Sequence, residues 1–368
     1  HVDVPHDAEV SAMAASDDLV MTGDNDGILK IWRAADGSPV TEYRIEDGLG
    51  ISAIAVAPAR PSAAAVVTGN RVFELDLVSG EKTWEILGGP GSSGRGFATY
   101  SPDGRFLAHN GPGLRIIDTW AQEEYVTLSV AASGAAFVDT TTMVYIDDAG
   151  LRFLDLSDGQ TIRLIAMDEH AIGKPIELGF SAKRRSIFVL HMDGFVAYDL
   201  DTGAQIARQF TDIADDHMAV APHTEMVVSS RWNGSFLGNA VNLVTVYQGD
   251  GYRDIVKVQG STARVTKLMM HQGIIYVGQR DGTIRRWTTR GEHDNAPLEY
   301  LPDLGQVTGG ITSIATSEDG RFLALGNSDG GVDVFDVWAN VRREVDPNGV
   351  RPVPPAPNFG TTGTSGVS

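Results

Sequence analysis

Histidines beside carboxylates are the first residues of this sequence whose types suggest chemistry. One segment reads Asp-Glu-His at 168–170 and another reads Asp-Asp-His at 215–217, with His191 between them along the chain. Imidazole nitrogens and carboxylate oxygens are ordinary ligands of divalent metals. The weakly indicated ligands are His170, His191, His217 and Asp216. Sequence spacing does not bring them together, so we interpret both segments as acidic loops and predict no metal and no other cofactor.

The overall charge favours that interpretation, because 29 lysines and arginines face 48 aspartates and glutamates, a net charge of −19. Clustered negative charge attracts positive surfaces and steers a partner into place. We therefore predict a protein partner that presents a basic segment. Arg95 ends a glycine-rich loop at 88–95, where its cation could meet an anion. The predicted partner-binding residues are Asp168, Glu169, Asp212, Asp215, Asp216 and Arg95.

Composition argues against several other functions. Nucleic-acid binding requires cations that neutralise phosphates, which an acidic chain lacks. The sequence has 0 cysteines, no G-x-S-x-G or H-E-x-x-H signature, and no apolar run of the ~20 residues that a membrane span needs. His1 and His6 could supply nitrogen ligands to copper, but that chemistry belongs to other folds. We predict no enzyme, no nucleic-acid partner and no membrane span, and leave both a periplasmic and a cytoplasmic location open.

A repeated hairpin organises the rest of the chain. Its best copies are VMTGDNDGILKIW at 20–32, IYVGQRDGTIRRW at 275–287 and LALGNSDGGVDVF at 323–335. Asp-Gly and Asn-Gly suit the tight turns of β-hairpins, and looser copies bring the count to eight. From Gly27 to Gly330 there are 303 residues over seven intervals. The mean period of about 43 residues matches the blade of a β-propeller.

These repeats predict an all-β, eight-bladed β-propeller of four-stranded antiparallel blades, here lettered a to d from first strand to last. The alternative is seven blades, because Trp232 to Ala240 resembles a long b–c insertion in the weakest copy. Either Val2 to Val4 or Val341 to Val345 would complete the last blade. The propeller is predicted over 1–346, and a Pro/Gly/Thr/Ser-rich tail or linker over 347–368.

The three best hairpins resemble WD40 repeats, and the chain resembles a divergent, bacterial-style WD40-like propeller. The sequence contains no Trp-Asp and no Gly-His dipeptide. The resemblance therefore implies that the buried His–Asp network of many WD40 blades is absent or substituted here. LDLVSGEKTW at 75–84 is similar, more weakly, to the repeat of eight-bladed quinoprotein-like and outer-membrane assembly propellers, which are periplasmic or exported.

A propeller places its d–a and b–c connections on one face, the d–a/b–c face, and its other turns on the a–b/c–d face. The acidic loops fall on the d–a/b–c face. Two functions remain open: a non-catalytic protein-interaction scaffold in a larger assembly, which we favour, or an extracytoplasmic ligand-binding or enzymatic propeller that uses the central channel.

Overall fold

The computed structural model describes most of the chain. The described residues are 6–16, 18–45, 49–69, 71–87, 96–111, 113–167, 175–191, 194–210, 215–220, 226–233, 241–248, 253–259, 263–289, 298–339, 341–344 and 351–352.

Blades 1 to 4 contain the first sixteen strands, and each blade takes four strands that are consecutive in the sequence. Their bounds are β1 (Val10–Ala15), β2 (Leu19–Asp24), β3 (Ile28–Arg33) and β4 (Pro39–Arg44) in blade 1; β5 (Ile51–Ala57), β6 (Arg60–Thr68), β7 (Arg71–Asp76) and β8 (Lys82–Leu87) in blade 2; β9 (Ala98–Tyr100), β10 (Phe106–Gly111), β11 (Gly113–Asp118) and β12 (Glu123–Leu128) in blade 3; β13 (Gly134–Phe137), β14 (Thr142–Asp147), β15 (Gly150–Asp155) and β16 (Gln160–Ala166) in blade 4.

Blades 5 to 8 repeat the arrangement, and the last blade carries one additional short strand. Their bounds are β17 (Pro175–Ser181), β18 (Ser186–His191), β19 (Gly194–Asp199) and β20 (Gln205–Phe210) in blade 5; β21 (Asp215–Val220), β22 (Val227–Asn233), β23 (Val241–Gln248) and β24 (Arg253–Gln259) in blade 6; β25 (Val265–His271), β26 (Ile274–Gln279), β27 (Ile284–Thr289) and β28 (Leu298–Leu301) in blade 7; β29 (Ile311–Thr316), β30 (Phe322–Asn327), β31 (Val332–Asp336), β32 (Val341–Glu344) and β33 (Arg351–Pro352) in blade 8.

The predicted eight-bladed, all-β propeller is confirmed, and the seven-blade alternative is wrong. The weakest repeat is a complete blade, because β21 to β24 form one antiparallel sheet. The segment at 234–240, between β22 and β23, occupies the predicted b–c position. The described residues contain no helix, and therefore no helix that is long and apolar enough to cross a membrane.

Burial follows the order of the strands within each blade. The b strands β18 and β30 are buried along their whole length, whereas the d strand β16 is largely exposed. Neighbouring blades cover both faces of an inner strand, which favours continuous apolar runs such as FLALG. The core is therefore divided into layers between blades. Met21 and Ile31 of blade 1 pack with Phe73 and Leu75 of blade 2 in one of these layers.

The last blade is completed by β32, which is one of the two predicted solutions. Val2 to Val4 lie outside the described residues. β33 pairs with β32 through Arg343 opposite Pro352 and Glu344 opposite Arg351. Two residues of the predicted tail therefore extend the last sheet, and the division at 346/347 stays a prediction.

Contacts between blades 8 and 1 close the ring. The backbone N–H of His6 donates to the carbonyl oxygen of Gly330 at 3.1 Å, and Thr312 Oγ1 donates to the carbonyl of Val10 at 2.7 Å. Val10 and Trp32 also pack in one apolar layer with residues of blade 8. No described strand of blade 1 belongs to the sheet of blade 8.

Glycines recur at the b–c connections of the described blades, as the repeated hairpin turns of the sequence predict. The b–c connections contain or adjoin Gly27, Gly111, Gly150, Gly194, Gly282 and Gly330, whereas Gly234 lies outside the described residues. Gly27 has a φ of +78° and accepts a hydrogen bond at 2.8 Å from the N–H of Ile45, in the following d–a connection. Gly282 accepts one from Val307 in the same way, at 2.9 Å. These bonds join d–a and b–c connections on one face.

A buried carboxylate joins blades 2 and 3. Glu74 is 1% exposed, and its two carboxylate oxygens accept hydrogen bonds from Nη1 and Nη2 of Arg60, at 3.0 and 2.9 Å. Tyr100 Oη donates to the same carboxylate at 2.8 Å, and Arg60 also donates to Thr119 Oγ1 at 3.1 Å. Burial, together with the negative charge of Glu74, raises the pKa of Tyr100 well above its ordinary value. The phenol therefore stays a neutral donor.

Candidate functional site

A buried network around His6 corrects one of the expectations drawn from the sequence. His6 Nδ1 lies 2.8 Å from Asp24 Oδ2, and His6 Nε2 lies 2.6 Å from Thr22 Oγ1. Trp32 Nε1 donates to the same Thr22 oxygen at 3.0 Å. The His–Asp network that the missing dipeptides argued against is therefore present in blade 1. The prediction failed because proline, not glycine, precedes this histidine, and because the aspartate ends β2 instead of following the tryptophan.

The network makes His6 a structural residue. Burial lowers the pKa of His6 from its ordinary value, and the hydrogen bond to Asp24 opposes that effect. A neutral ring donates through Nδ1 to the carboxylate and accepts at Nε2 from the threonine hydroxyl. Both ring nitrogens are thereby occupied, which leaves neither of them for copper.

A polar residue at the end of the b strand shapes the turn that follows it. Asp24 Oδ1 accepts from the N–H groups of Asp26 and Ile28, at 3.0 and 2.7 Å. In blade 8, Asn327 Oδ1 accepts from those of Asp329 and Gly331, at 2.9 and 2.8 Å. These side chains satisfy backbone donors that the ladder leaves unpaired. The signal was visible in the best hairpins, whose first strands (the b strands) end in Gly-Asp, Gly-Gln and Gly-Asn.

Most of the acidic residues predicted from the sequence fall where the structure does not describe side chains. Asp168, Glu169, His170, Asp212 and Arg95 lie outside the described residues. Asp215 and Asp216 begin β21, and only their backbone is described: Asp215 pairs with Arg231 of β22. Their role in partner binding stays a prediction.

The two described histidines of the metal hypothesis line different cavities. His191 ends β18, is buried, and lines a cavity of about 330 Å³ together with Tyr198 and Arg208. His217 in β21 lines the central channel. Among the residues that the structure describes, no three His, Asp or Glu side chains are grouped closely enough to hold a metal ion.

The central channel opens on the d–a/b–c face as a cavity of about 870 Å³ whose wall includes residues from all eight blades. Among the residues that the structure describes, this wall contains three cationic and two anionic side chains. They are Glu9, Glu177, Arg264, Lys267 and Arg280. Sequence reasoning missed them because they are isolated charges on different connections and strands, without a local motif.

The described cations of the channel mouth belong to blade 7. The N–H of Arg280, in its b–c turn, donates to the carbonyl of Arg264 at 2.8 Å, which holds the turn against the d–a connection. Lys267 lies further along β25. Glu177 belongs to blade 5, and its Oε2 accepts the N–H of Met218 in blade 6 at 3.1 Å. Backbone contacts thus position charges on two sides of the mouth, in a chain whose net charge is −19.

The channel becomes apolar toward the a–b/c–d face. A second cavity, of about 650 Å³, is lined there by side chains that include Phe137, Phe180 and Met270. Glu177, Leu178, Met218 and Leu268 line both cavities, which therefore adjoin each other, with Glu177 at their junction. The channel can accommodate a polar group at one end and an apolar group at the other.

The fold defines the class of the protein: an eight-bladed, WD40-like β-propeller. The C-terminal WD40 domain of Sif2 superposes with a TM-score of 0.71 at 9% identity, over 87% of this chain and 93% of that domain. U3-55K superposes with a TM-score of 0.59 at 18% sequence identity, over 76% of this chain and 89% of that one. The computationally designed protein Ika8 reaches 0.72 at 16% identity, over 91% and 98%. At these identities the likeness concerns the fold alone.

Comparison of sequences identifies no family, since no family model matches the chain. Cysteate synthase of Methanosarcina mazei is 26% identical over 40% of this chain and 38% of its own length. Cysteate synthase of Methanosarcina barkeri is 24% identical over 68% of this chain and 61% of its own length. The chain thus spans less than two thirds of these curated relatives, and the partial matches establish no activity for it. The weaker resemblance to quinoprotein-like and outer-membrane assembly propellers stays a prediction.

Proposed function

We propose that this chain is a non-catalytic scaffold that binds a protein partner across its d–a/b–c face, at the mouth of the central channel. The observation that carries the proposal is the set of charged side chains around that mouth, held on a ring of eight interlocked blades. Charges fixed on rigid strands and tight turns orient a partner at low entropic cost, and opposite signs on different blades set its register.

The predicted acidic residues extend this surface. Asp168 and Glu169 belong to the connection between blades 4 and 5, Asp212 to the one between blades 5 and 6, and Arg95 to the one between blades 2 and 3. Asp215 and Asp216 begin the first strand of blade 6. A basic segment of the partner would lie along blades 4 to 6, beside the cations of blade 7, which would limit how far the segment extends in that direction.

Photo-crosslinking from the two faces tests this proposal. A photoreactive amino acid replaces Asp281 or Ser328, exposed in b–c turns, and in matched control chains it replaces Val78 or Asp201, exposed in c–d turns. We expect one defined partner to be crosslinked from the b–c positions only. Equal capture from both faces, or capture from the c–d turns alone, overturns the assignment.

Once a partner has been identified, charge variants of this chain test whether the acidic residues contribute to its binding. Asp168, Glu169, Asp215 and Asp216 are changed together to Asn or Gln, which preserves their shape. Exposed charges act mainly on the encounter, so association slows and loses part of its salt dependence. Unchanged capture and unchanged salt dependence would contradict a role for these loops, while the crosslinks would still report on the face.

The channel itself supports a second candidate, the binding of a small amphiphilic ligand. Its polar mouth adjoins an apolar section that contains Leu268 and Met270. An anionic, fluorescent fatty acid is a suitable probe for titrating the purified chain. Saturable binding that is lost in Leu268→Gln, while the melting temperature is kept, supports this candidate. A probe that shows no saturable binding to the unchanged chain rules it out.

A further inference from the structure

Blades 3 and 8 contain the same side-chain arrangement on the a–b/c–d face, away from the proposed partner site. Both have an a–b turn of the form Ser-x-Asp-Gly-Arg-Phe, at 101–106 and 317–322, and a c–d turn of the form Asp-x-Trp. Each serine donates to the aspartate two residues later at 2.6 Å and accepts the N–H of the phenylalanine at 2.9 Å. The two turns are therefore built in the same way.

The arginine of each turn is held in place by two contacts. Arg105 Nη2 lies 2.7 Å from Asp118 Oδ2, and its guanidinium centre lies 4.7 Å from the centre of the Phe106 ring. In blade 8, Arg321 Nη2 lies 3.0 Å from Asp336 Oδ2, and its guanidinium centre lies 4.8 Å from the Phe322 ring. An ion pair and a cation–π contact together restrict both guanidinium groups.

An exposed tryptophan completes each arrangement. Trp120 is 61% exposed, and its ring centre lies 5.7 Å from the guanidinium centre of Arg105, whereas Trp338 is 69% exposed. Tryptophan and arginine are the side chains that most often dominate binding sites, and a large indole surface in water favours contact with another apolar group. Both turns present such a surface.

The direction of the chain distinguishes the two turns. β32 leaves the c–d turn that contains Trp338, and β33 pairs antiparallel with it, with Glu344 opposite Arg351 and Arg343 opposite Pro352. β33 therefore runs back toward that turn along the outer edge of blade 8. In blade 3, by contrast, no described strand follows the d strand β12 at the sheet edge.

The segment that follows Pro352 has the length and the composition to reach Trp338. It reads Val-Pro-Pro-Ala-Pro at 353–357. In a polyproline II conformation, at about 3.1 Å per residue, five residues span about 15 Å. The remaining length of β32, from Arg343 to Val341, is two residues, or about 7 Å at ~3.3 Å per residue. The prolines thus have enough reach to pass the end of the strand and arrive at the turn.

We propose that the proline-rich segment 353–357 packs on the indole ring of Trp338. Proline-rich segments dock on aromatic side chains because they are already ordered before binding, so little conformational entropy is lost. Trp338 then anchors the chain that leaves the propeller. This intramolecular contact fixes the direction in which the rest of the chain leaves blade 8. Trp120, which lies in a turn of the same Asp-x-Trp form but has no proline-rich segment after its d strand, remains open to solvent.

Fluorine NMR of the full chain labelled with 5-fluorotryptophan tests the contact. Trp338→Phe and Trp120→Phe assign the two signals. The test variant changes Pro354, Pro355 and Pro357 to Ser, and a soluble paramagnetic quencher reports on exposure. We expect the Trp338 signal to shift and to lose protection from the quencher in this variant, while the Trp120 signal is unchanged.

Two outcomes would overturn the proposal. One is a Trp338 signal that does not respond to the proline substitutions. The other is protection of Trp338 in the unchanged chain that rises with protein concentration, which would assign the contact to the tail of a second copy. Trp120 serves as the internal control in both cases, because its turn has the same composition and a similar exposure.

Discussion

His6 and Asp24 share a buried hydrogen bond of 2.8 Å, although 18 residues separate them along the chain. The backbone of His6 also donates to Gly330 in blade 8, and Asp24 shapes the b–c turn of blade 1. One histidine therefore connects the first blade to the last, and one carboxylate serves both the histidine and the turn.

Asp24→Ala should lower the free energy of unfolding by about 2–4 kcal/mol. The substitution removes an acceptor from a buried imidazole and from two backbone N–H groups, and unmade buried hydrogen bonds cost about 1–3 kcal/mol each. Urea denaturation measures the change. Asp26→Ala is the matched control, because it removes the same charge from an exposed position in the same turn. A comparable loss in both variants would contradict the role given to Asp24.

Glu74→Gln should destabilise the chain by about 3–5 kcal/mol, because it leaves the charge of Arg60 partly buried without its carboxylate. The pair between Arg185 and Asp201 supplies the control, because both side chains are 56% exposed and Asp201→Asn should therefore cost much less. Thermal unfolding of the two variants at one pH makes the comparison. Equal melting temperatures would show that the buried pair contributes no more to stability than the exposed one.

His109 should make the propeller sensitive to acid. Burial lowers the pKa of His109 from 6.5 to about 4 in the folded chain. The unfolded chain therefore binds the proton first, and stability falls as the pH decreases from 6.5 toward 4. A single such group contributes a slope of at most about 1.4 kcal/mol per pH unit.

Denaturation of the unchanged chain and of His109→Leu across this pH range isolates the contribution of that histidine. The difference in unfolding free energy between the two chains should change with pH between 6.5 and 4 and level off above 6.5. Parallel curves for both chains would indicate that another group carries the acid sensitivity.

Gly330→Ala should weaken the joint between blades 8 and 1. Gly330 has a φ of +83°, and an added Cβ would lie 2.0 Å from the carbonyl oxygen of His6. A strained backbone alone costs about 1–3 kcal/mol, and the clash adds to it. Gly69→Ala is the control, because its nearest neighbour would be a Leu49 methyl at 3.7 Å. Calorimetry should show a lower melting temperature for Gly330→Ala only.

The sequence predicted the fold well because a repeat is a regular signal. Eight turns at a near-constant spacing specify eight blades, and the glycines of the b–c turns fall in place because the hairpins need them. The buried polar network of blade 1 was missed, since His6 precedes β1 and Asp24 ends β2, so that only the pairing of these two strands brings them together. One local sign of it was present in the best repeats, namely the polar residue that ends the b strand of each.

The candidate site was harder to predict because it is assembled from many blades. The described charges at the channel mouth belong to strands and connections of different blades, which are far apart in the sequence. No local sequence motif therefore reveals that they share one cavity. The acidic loops were visible in the sequence because their charges are consecutive. Consecutive charges are a property of one connection, whereas a channel wall is a property of the whole ring.

The closure of the ring has a consequence for how the chain can be cut and rejoined. Each blade draws its four principal strands from one continuous stretch, and non-covalent contacts alone join blade 8 to blade 1 among the described residues. The packing between blades 8 and 1 is therefore of the same kind as at the other seven joints, which in addition have a covalent connection. A circular permutant with new ends in the connection between β4 and β5 would keep every sheet intact and the same order of blades around the ring, so the blade at which the chain begins can be changed without changing the fold.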